Sequence, residues 1–289
     1  MRLVTWNVNS VSARLPRLLA WLRDTGPDVV CLQETKCPDA AFPRAEVAEL
    51  GYAAAIHGDG RWNGVAVLSR MGLSNIAVGF PGIPSFPDAE QPPEARAIAA
   101  TCSGVRVMSV YVPNGRSPED PHFAYKLRWL TALRSAIEPE AAAERPFVLA
   151  GDFNVAPTDA DVWDPAAFVG STHVTPAERG AVRALLDAGL HDVPARALKY
   201  DTPFTYWDYR AGAFHQNLGM RIDLVLANAA AYADITDAYV DREARKGRSP
   251  SDHAPVVVDL GRSSTVGTQP VNGVHSTIVT WIFAPLGAV

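Results

Sequence analysis

Polar and acidic residues that could bind a metal ion and activate water stand at the ends of short apolar segments of this sequence. Some follow a segment, as Glu34 follows DVVCLQ, and others open or precede one, as Asp223 opens DLVLAN. The full set comprises Asn7, Glu34, Asp152, Asn154, Asp223, Asp252 and His253. In a mixed sheet, strands that run in opposite directions begin and end at the same edge. The sequence therefore predicts that these side chains gather at one edge.

Several carboxylates in one place would repel one another, and their pKa values would rise. A divalent cation removes this penalty, and a donor set of Glu, Asp and Asn oxygens favours Mg²⁺ or Mn²⁺ over zinc. The histidine of the set can act on protons or on a phosphate oxygen. Each residue alone would be an ordinary cap, turn former or surface acid, so the prediction depends on the whole set.

Short apolar strands with few helices between them must position these residues. We predict strands at Arg2–Trp6, Asp28–Leu32, Gly64–Ser69, Ala97–Cys102, Val105–Val112, Phe147–Ala150, Ile222–Ala227 and Pro255–Leu260. Helices are predicted around Leu15–Leu22 with Ser12 as the cap, at Phe123–Ile137 and at Pro176–Leu186. The proline-rich stretch Gly79–Pro93 should be a surface loop. Consecutive strands without a helix favour an α/β (α+β) fold of mixed sheets with helices outside.

The net charge of -5 over 289 residues excludes nucleic-acid binding driven by bulk charge, although a local basic stripe could still contact phosphates. Three cysteines without close spacing predict reduced thiols. The sequence has neither a signal peptide nor an apolar membrane segment, so we expect a cytoplasmic protein. Residues 1–261 are predicted to form one catalytic domain, and residues 262–289 a disordered or artificial tail.

Six motifs connect these residues to a known family. In chain order they are Trp6–Asn9, Leu32–Lys36, Tyr111–Asn114, Gly151–Asn154, Arg221–Asp223 and Ser251–His253. The chain resembles the exonuclease III family of abasic-site (AP) endonucleases, within the endonuclease/exonuclease/phosphatase superfamily. The resemblance implies a DNase I-like four-layer sandwich, in which two packed mixed β-sheets are flanked by helices and the active site lies at one end.

The resemblance also implies an activity. The chain would be a monomeric DNA repair nuclease that hydrolyses the phosphodiester 5′ to abasic sites, with 3′→5′ exonuclease and 3′-phosphatase activity. Its substrate would be double-stranded DNA with abasic sites or blocked 3′ ends. Its cofactor would be Mg²⁺, with Mn²⁺ as a substitute. Glu34 resembles the principal metal ligand, aided by Asn7 or Asn9 and by Asp252.

The remaining catalytic roles follow from the same motifs. Asp152 resembles the residue that orients or deprotonates the attacking water. Tyr111 and Asn154 resemble hydrogen-bond donors to the scissile phosphate. His253 resembles the imidazole that meets a phosphate oxygen, and Asp223 the carboxylate that fixes its tautomer.

Contacts with DNA are predicted outside the metal centre. The segment from Phe204 to Arg210, followed by Gly219–Arg221, resembles the abasic-sugar pocket of the repair enzymes, so Tyr206, Trp207 and Met220 are predicted to wall that pocket. The alternative is that these aromatic residues belong to the core. Further predicted DNA contacts are Arg96, Asn114, Arg116 and Lys126. The basic run Arg242–Arg248 is more typical of a solvated face.

Two other functions compete with this interpretation. The first is a phosphodiesterase or phosphatase of the same superfamily that acts on a small or lipid phosphate, which the pocket motif argues against. The second is a non-catalytic DNA-binding module, which would be expected to lose at least one member of the metal and histidine set. Cleavage of an abasic-site duplex with Mg²⁺ and with EDTA separates these alternatives.

Overall fold

A computed structural model describes residues 1–60 and 62–261, and the predicted tail at 262–289 lies outside the described residues. The strands are β1 (Arg2–Asn7), β2 (Val29–Gln33), β3 (Ala53–His57), β4 (Val65–Ser69), β5 (Ser74–Val78), β6 (Ala97–Cys102), β7 (Val105–Tyr111), β8 (Phe147–Asp152), β9 (Leu190–Asp192), β10 (Arg196–Ala197), β11 (Asp223–Asn228), β12 (Ile235–Val240) and β13 (Val256–Leu260). The α-helices are α1 (Val11–Thr25), α2 (Arg44–Glu49), α3 (Pro121–Ala141), α4 (Pro176–Asp187), α5 (Ala213–Gln216) and α6 (Ala229–Ala233).

The strands form two mixed sheets. The first has the order β10-β12-β13-β1-β2-β4-β3, and the second has the order β5-β6-β7-β8-β11-β9. β1 and β2 run parallel to each other, as do β7 and β8. β13 and β11 run antiparallel to β1 and β8, respectively. The ends of β1, β2, β7 and β8 therefore lie at the same edge as the beginnings of β11 and β13.

The central strands carry apolar residues on both faces, so each sheet packs against the other sheet on one side and against helices on the other. In β2, Val29 and Cys31 face the second sheet, whereas Val30 and Leu32 pack in the cluster beneath α1 and α2. Such strands are buried on both faces and read as continuous apolar runs rather than as alternating patterns. Helices α3 and α4 cover the outer face of the second sheet through a further cluster that includes Trp129. The result is the predicted four-layer sandwich, which confirms the fold class.

The predicted elements agree with the structure in most respects. All eight predicted strands and all three predicted helices are present, and Gly79–Pro93 has no helix or strand. The cap of α1 is Ser10 rather than Ser12, because Ser10 accepts a hydrogen bond from the amide of Ala13. The prediction missed the short or exposed strands β3, β5, β9, β10 and β12. Among the described residues, no helix is long and apolar enough to cross a membrane.

Gly151 allows the close approach of β7 and β8 beside the predicted site. A Cβ atom at this position would lie far inside contact distance of the Val110 carbonyl oxygen. We expect Gly151→Ala to lower the free energy of unfolding by roughly 1–3 kcal/mol or more, because backbone rather than a flexible side chain must move. Denaturant titration measures this change.

Gly180 provides the matched control, because it lies on the exposed surface of α4 with nothing within 4 Å of an added Cβ. Gly180→Ala should raise stability by up to about 1 kcal/mol, since alanine is the better helix former. Equal effects of the two substitutions would contradict the assigned packing of β7 on β8.

Candidate active site

The predicted catalytic residues meet at one end of the sandwich. Asn7 ends β1, Glu34 directly follows β2, and Asp152 ends β8. Asp223 begins β11, where it lies opposite Asp152 in the antiparallel register. His253 precedes β13 by a short connection. The two sheets therefore contribute the residues jointly, and neither sheet holds the site alone.

Asn7 connects the two sheets through a single side-chain amide. Its Nδ2 donates to Glu34 Oε1 at 2.8 Å and to Asp152 Oδ2 at 2.9 Å. Its Oδ1 accepts the main-chain amide of Asn9 at 3.0 Å. One buried amide thus holds two carboxylates from opposite sheets at a fixed separation.

The segment after β2 is held in an unusual backbone conformation. Glu34 and Lys36 have φ values of 52° and 51°, which non-glycine residues adopt rarely and at a cost. Hydrogen bonds from the main chain support it: Thr35 N donates to Gly64 O, and Lys36 N donates to Asn63 O. These bonds keep the Glu34 carboxylate directed into the site.

Lys36 is a site residue that the sequence prediction did not assign. Its Nζ lies 2.7 Å from Glu34 Oε2 and donates to Asn9 Oδ1 at 2.6 Å. Burial opposes ionisation of Glu34, but the Lys36 ammonium and the Asn7 hydrogen bond outweigh it and lower the pKa of Glu34. The signal was present, since Lys36 lies within the quoted motif Leu32–Lys36. Asn9 Nδ2 also donates to Asp252 Oδ1 at 3.0 Å, which connects this edge to Asp252.

His253 is paired with Asp223 as predicted. The two are joined by a 2.8 Å contact between Nδ1 and Oδ2, and His253 Nε2 lies 3.8 Å from Asp152 Oδ2. Burial opposes protonation of the imidazole, but the carboxylates of Asp223 and Asp152 outweigh it and raise the pKa of His253 to about 10. Burial, together with Asp223 and Glu34, raises the pKa of Asp152 to about 7, although His253 acts in the opposite direction. The site therefore carries a cationic imidazole beside a carboxyl group that exchanges protons near neutral pH.

Tyr111 ends β7 beside Asp152, and Arg96 lies beneath its ring. Burial and the neighbouring Glu34 carboxylate raise the pKa of Tyr111 well above its ordinary value, which keeps the phenol a hydrogen-bond donor. Arg96 is only 5% exposed, stacks 4.7 Å from the ring centroid and forms an ion pair with Glu94 at 2.6 Å. This burial conflicts with the predicted contact between Arg96 and DNA, and the guanidinium packs against Tyr111 instead.

The carboxylates provide donors that fit a hard divalent cation. Ligand atoms of Glu34, Asp152 and His253 lie within 4.8 Å of one another. The oxygen donors of this group are the two carboxylates, and the Asn7 carboxamide lies between them. A small number of carboxylates completed by water is the usual environment of Mg²⁺ in proteins. Asn9 and Asp252 lie at the edge of this group, linked to it through Lys36.

The predicted phosphate contacts divide into accessible and buried residues. Asn114 and Arg116 are exposed near the site, and Asn114 Nδ2 donates to Asn154 Oδ1 at 3.2 Å. Lys126 has no exposed surface, and its ammonium donates to the carbonyl oxygens of Asn114 and Asn154 and to Glu178. This burial conflicts with the predicted contact between Lys126 and DNA, because all three ammonium hydrogens bond inside the protein.

An apolar cluster borders His253. Tyr206 is half-buried, and its ring centroid lies 4.9 Å from that of His253. Met220 and Ile222 pack with Tyr206 and Val162 in this cluster, which we call the niche cluster. Sequence reasoning identified Tyr206 and Met220 but missed Ile222, which directly precedes Asp223 within a quoted motif.

Trp207 lies elsewhere. It is completely buried in the central core, stacks edge-on against Phe214 and donates from Nε1 to Asn217 Oδ1. Its alternative interpretation as a core residue is therefore the correct one. Arg242 and Arg245, from the basic run, are also buried and stack on Phe214.

The Asp223–His253 pair leads to a prediction that does not depend on the reaction. In EDTA, the His253 imidazole should titrate near pH 10, and Asp223→Asn should lower its pKa by about 1 unit or more, because the paired carboxylate is lost. NMR titration of the ring nitrogens measures this. The exposed Asp187→Asn is the control and should leave the pKa unchanged.

The same pair predicts how stability depends on pH. Since the folded-state pKa of His253 is raised above 6.5, the interaction stabilises the protein fully below about pH 6.5 and fades as the pH rises through about 10. Asp223→Asn should thus lower the free energy of unfolding more at pH 6 than at pH 10. A wild-type imidazole that titrates near 6.5 would contradict both expectations.

Comparison with known proteins places this geometry in a family. The endonuclease/exonuclease/phosphatase family profile matches residues 4–253. Exodeoxyribonuclease III of Haemophilus influenzae is 30% identical over 268 residues, covering 89% of this chain and 98% of the relative. Two solved structures are also similar: a 3′ phosphatase from Neisseria bound to a product DNA hairpin, and an AP endonuclease from Archaeoglobus fulgidus. The phosphatase is 38% identical with a TM-score of 0.84, and the AP endonuclease is 32% identical with a TM-score of 0.83. Each comparison covers 90% of this chain and 99% of the solved chain. The chain therefore belongs to the endonuclease/exonuclease/phosphatase family and, within it, to the exonuclease III group of AP endonucleases.

Proposed function

We propose that this chain is a divalent-metal-dependent DNA repair nuclease that hydrolyses the phosphodiester 5′ to abasic sites and removes nucleotides or phosphate from 3′ ends. The observation that carries the proposal is the convergence of Glu34, Asp152 and the Asp223–His253 pair beside the niche cluster. The relatives support it by name, since they include an exodeoxyribonuclease, a 3′ phosphatase and an AP endonuclease. The free, buried cysteines agree with a reducing, cytoplasmic environment.

Glu34 and Asn7 are the residues that would hold the cation, with Asp252 and Asn9 contributing at its edge. Bound Mg²⁺ or Mn²⁺ would supply charge neutralisation at the phosphoryl oxygens and at the leaving alkoxide. Lys36 keeps Glu34 ionised and thus ready to act as a ligand. The metal preference follows from the donors, because oxygen ligands without cysteine or neutral histidine suit hard cations.

Asp152 and Asn154 would act on the attacking water and on the phosphate. Asp152 Oδ2 is held by Asn7, while Oδ1 accepts the main-chain amide of Asn154 at 2.9 Å. A carboxylate fixed at both oxygens presents its remaining lone pairs in a defined direction, as alignment of a nucleophile requires. Asn154 and the exposed Asn114 place side-chain amides at the same edge, where they can donate to phosphate oxygens.

His253 and Tyr111 would donate to the non-bridging oxygens as negative charge develops. Because the raised pKa keeps the imidazole cationic, both ring nitrogens carry protons: Nδ1 donates to Asp223, and Nε2–H faces the site. The phenol of Tyr111 stays protonated because of its raised pKa. Preorganised donors of this kind act in a site from which water is largely excluded, where their effect on the transition state is strong.

The niche cluster supports the preference for damaged DNA. A sugar without a base leaves the helix at little cost, whereas an intact nucleotide loses a few kcal/mol of stacking and pairing. Tyr206, which is half-buried beside His253 and packs on the buried Met220 and Ile222, would supply an apolar wall for a baseless deoxyribose. The close approach of Glu34, Asp152 and His253 supports an enzyme over a non-catalytic module, which would be expected to lose at least one member of this set.

The metal proposal predicts that hydrolysis of an abasic-site duplex requires Mg²⁺ or Mn²⁺ and stops in EDTA. Glu34→Gln should weaken Mn²⁺ binding at least about tenfold while the protein stays folded, because one anionic ligand is lost. Calorimetric titration and circular dichroism measure the two quantities. Glu49→Gln, on the exposed end of α2, is the control. Full activity in EDTA would overturn the mechanism.

The niche proposal predicts that Met220→Ala lowers the preference for abasic over intact duplex by roughly 10- to 100-fold, the range expected for changes in an apolar pocket. Trp207→Phe should reduce the melting temperature but leave the preference unchanged, because Trp207 belongs to the core. Both variants are assayed for the cleavage ratio and for melting temperature. If only the Trp207 variant changed the ratio of abasic to intact cleavage, the pocket would not be formed by Met220.

A further inference from the structure

Lys126 is an ammonium group in the interior of the protein. It projects from α3, has no exposed surface, and donates to Asn154 O at 2.6 Å and to Asn114 O at 3.1 Å. Its third partner is the carboxylate of Glu178 on α4. The three donors of the ammonium are thereby all used, and none is available for solvent or substrate.

Glu178 is held as firmly as the lysine it pairs with. Its Oε1 also accepts from Thr172 Oγ1 at 2.8 Å and from His173 N at 2.9 Å. Its Oε2 accepts from Thr175, with which it forms the capping box at the beginning of α4. Residues of the loop that precedes α4 therefore hold the Glu178 carboxylate in place independently of Lys126.

The two carbonyl groups that Lys126 binds belong to residues whose side chains lie at the active site. Asn154 has a φ of 51°, a conformation that is costly for a non-glycine residue and needs support from its surroundings. Its Nδ2 donates to Val112 O at 3.0 Å, and its Oδ1 accepts from Asn114 Nδ2 at 3.2 Å. Lys126 thus connects the loop after β7 to the loop after β8 beneath both amides.

Stability alone does not explain this pair. Removing two charges from water is so unfavourable that apolar residues of similar volume usually stabilise a core as well or better. An apolar residue, however, cannot donate to two carbonyl groups on separate loops. The ion pair is therefore suited to fixing the relative position of those loops.

We propose that Lys126 and Glu178 form a buried positioning pair that fixes Asn114 and Asn154 for contact with the scissile phosphate. The inference rests on the proposed function, because the two asparagines belong to the same site. The pair touches no reacting atom and acts only through the two loops.

The test replaces the pair by apolar residues, Lys126→Met with Glu178→Leu, so that no charge is left buried without a partner. The control is Arg134→Met with Glu138→Leu, which removes an exposed ion pair from the same helix α3. We expect the buried replacement to lower kcat on an abasic-site duplex at least about tenfold, because small misplacements of contacting groups have large effects. KM and Mn²⁺ affinity should change by less than about twofold, and the control should match the wild type.

A second readout separates positioning from general destabilisation. In an Asn154→Ala background, the buried replacement should cause little further loss of kcat, since the side chain it positions is already absent. Lys126→Met with Glu178→Gln keeps the acceptor for Thr172 and His173 and leaves no buried charge without a partner, so it provides the same comparison if the first double replacement does not fold. Wild-type kcat in the buried replacement, or losses that add to that of Asn154→Ala, would overturn the inference.

Failure of the proposed function would be recognised separately. If the wild-type protein hydrolyses neither abasic-site duplex nor 3′-phosphorylated DNA, the proposed function fails. The side-chain amide resonances of Asn114 and Asn154 in the free protein then test the positioning pair. Broadening or loss of these resonances in the buried replacement supports it, and unchanged resonances overturn it.

Discussion

The structure of the site depends on the repulsion among carboxylates that the fold places together in a buried position. Glu34, Asp152 and Asp223 come from three strands of two sheets, and burial makes their charges costly. Asn7 offsets part of this cost by donating to two of them, and the His253 imidazolium offsets more through its contact with Asp223. The remaining negative charge attracts a cation. Metal binding, a protonated imidazole and a carboxyl group that titrates near neutral pH are thus consequences of one electrostatic constraint.

The two-sheet architecture is what imposes that constraint. In each sheet, a parallel pair of strands ends where an antiparallel neighbour begins, so chain reversals bring polar residues from distant segments to one edge. The apolar layer between the sheets keeps the distance between the two edges fixed. At this end the backbone also adopts left-handed conformations at Glu34 and Asn154, which surrounding hydrogen bonds support. Rigid sheets and strained connections together present the side chains that the chemistry needs.

Two buried cations support residues at the edge of the site. Arg96 lies beneath Tyr111 and is neutralised by Glu94, and Lys126 lies beneath Asn114 and is neutralised by Glu178. Neither cation is therefore available to an anionic ligand. Under the proposed function, neutral donors such as Tyr111 and Asn114 would contact the phosphate, which is consistent with a net charge of -5.

The sequence by itself determined the eight main strands and the family and predicted the metal and histidine set, because ordered motifs at strand ends and apolar runs are local features of the chain. It could not determine which basic residues face solvent. Arg96 and Lys126 were predicted to contact DNA because they are basic residues outside the metal centre, yet their partners lie on other segments that only folding brings near. The sequence also could not separate core residues from pocket residues. Trp207 and Ile222 both lie in motifs assigned to the site, and both look equally suited to a pocket. Only the tertiary structure decided that Trp207 enters the central core and that Ile222 packs in the niche cluster, because burial is set by contacts among segments far apart in the chain.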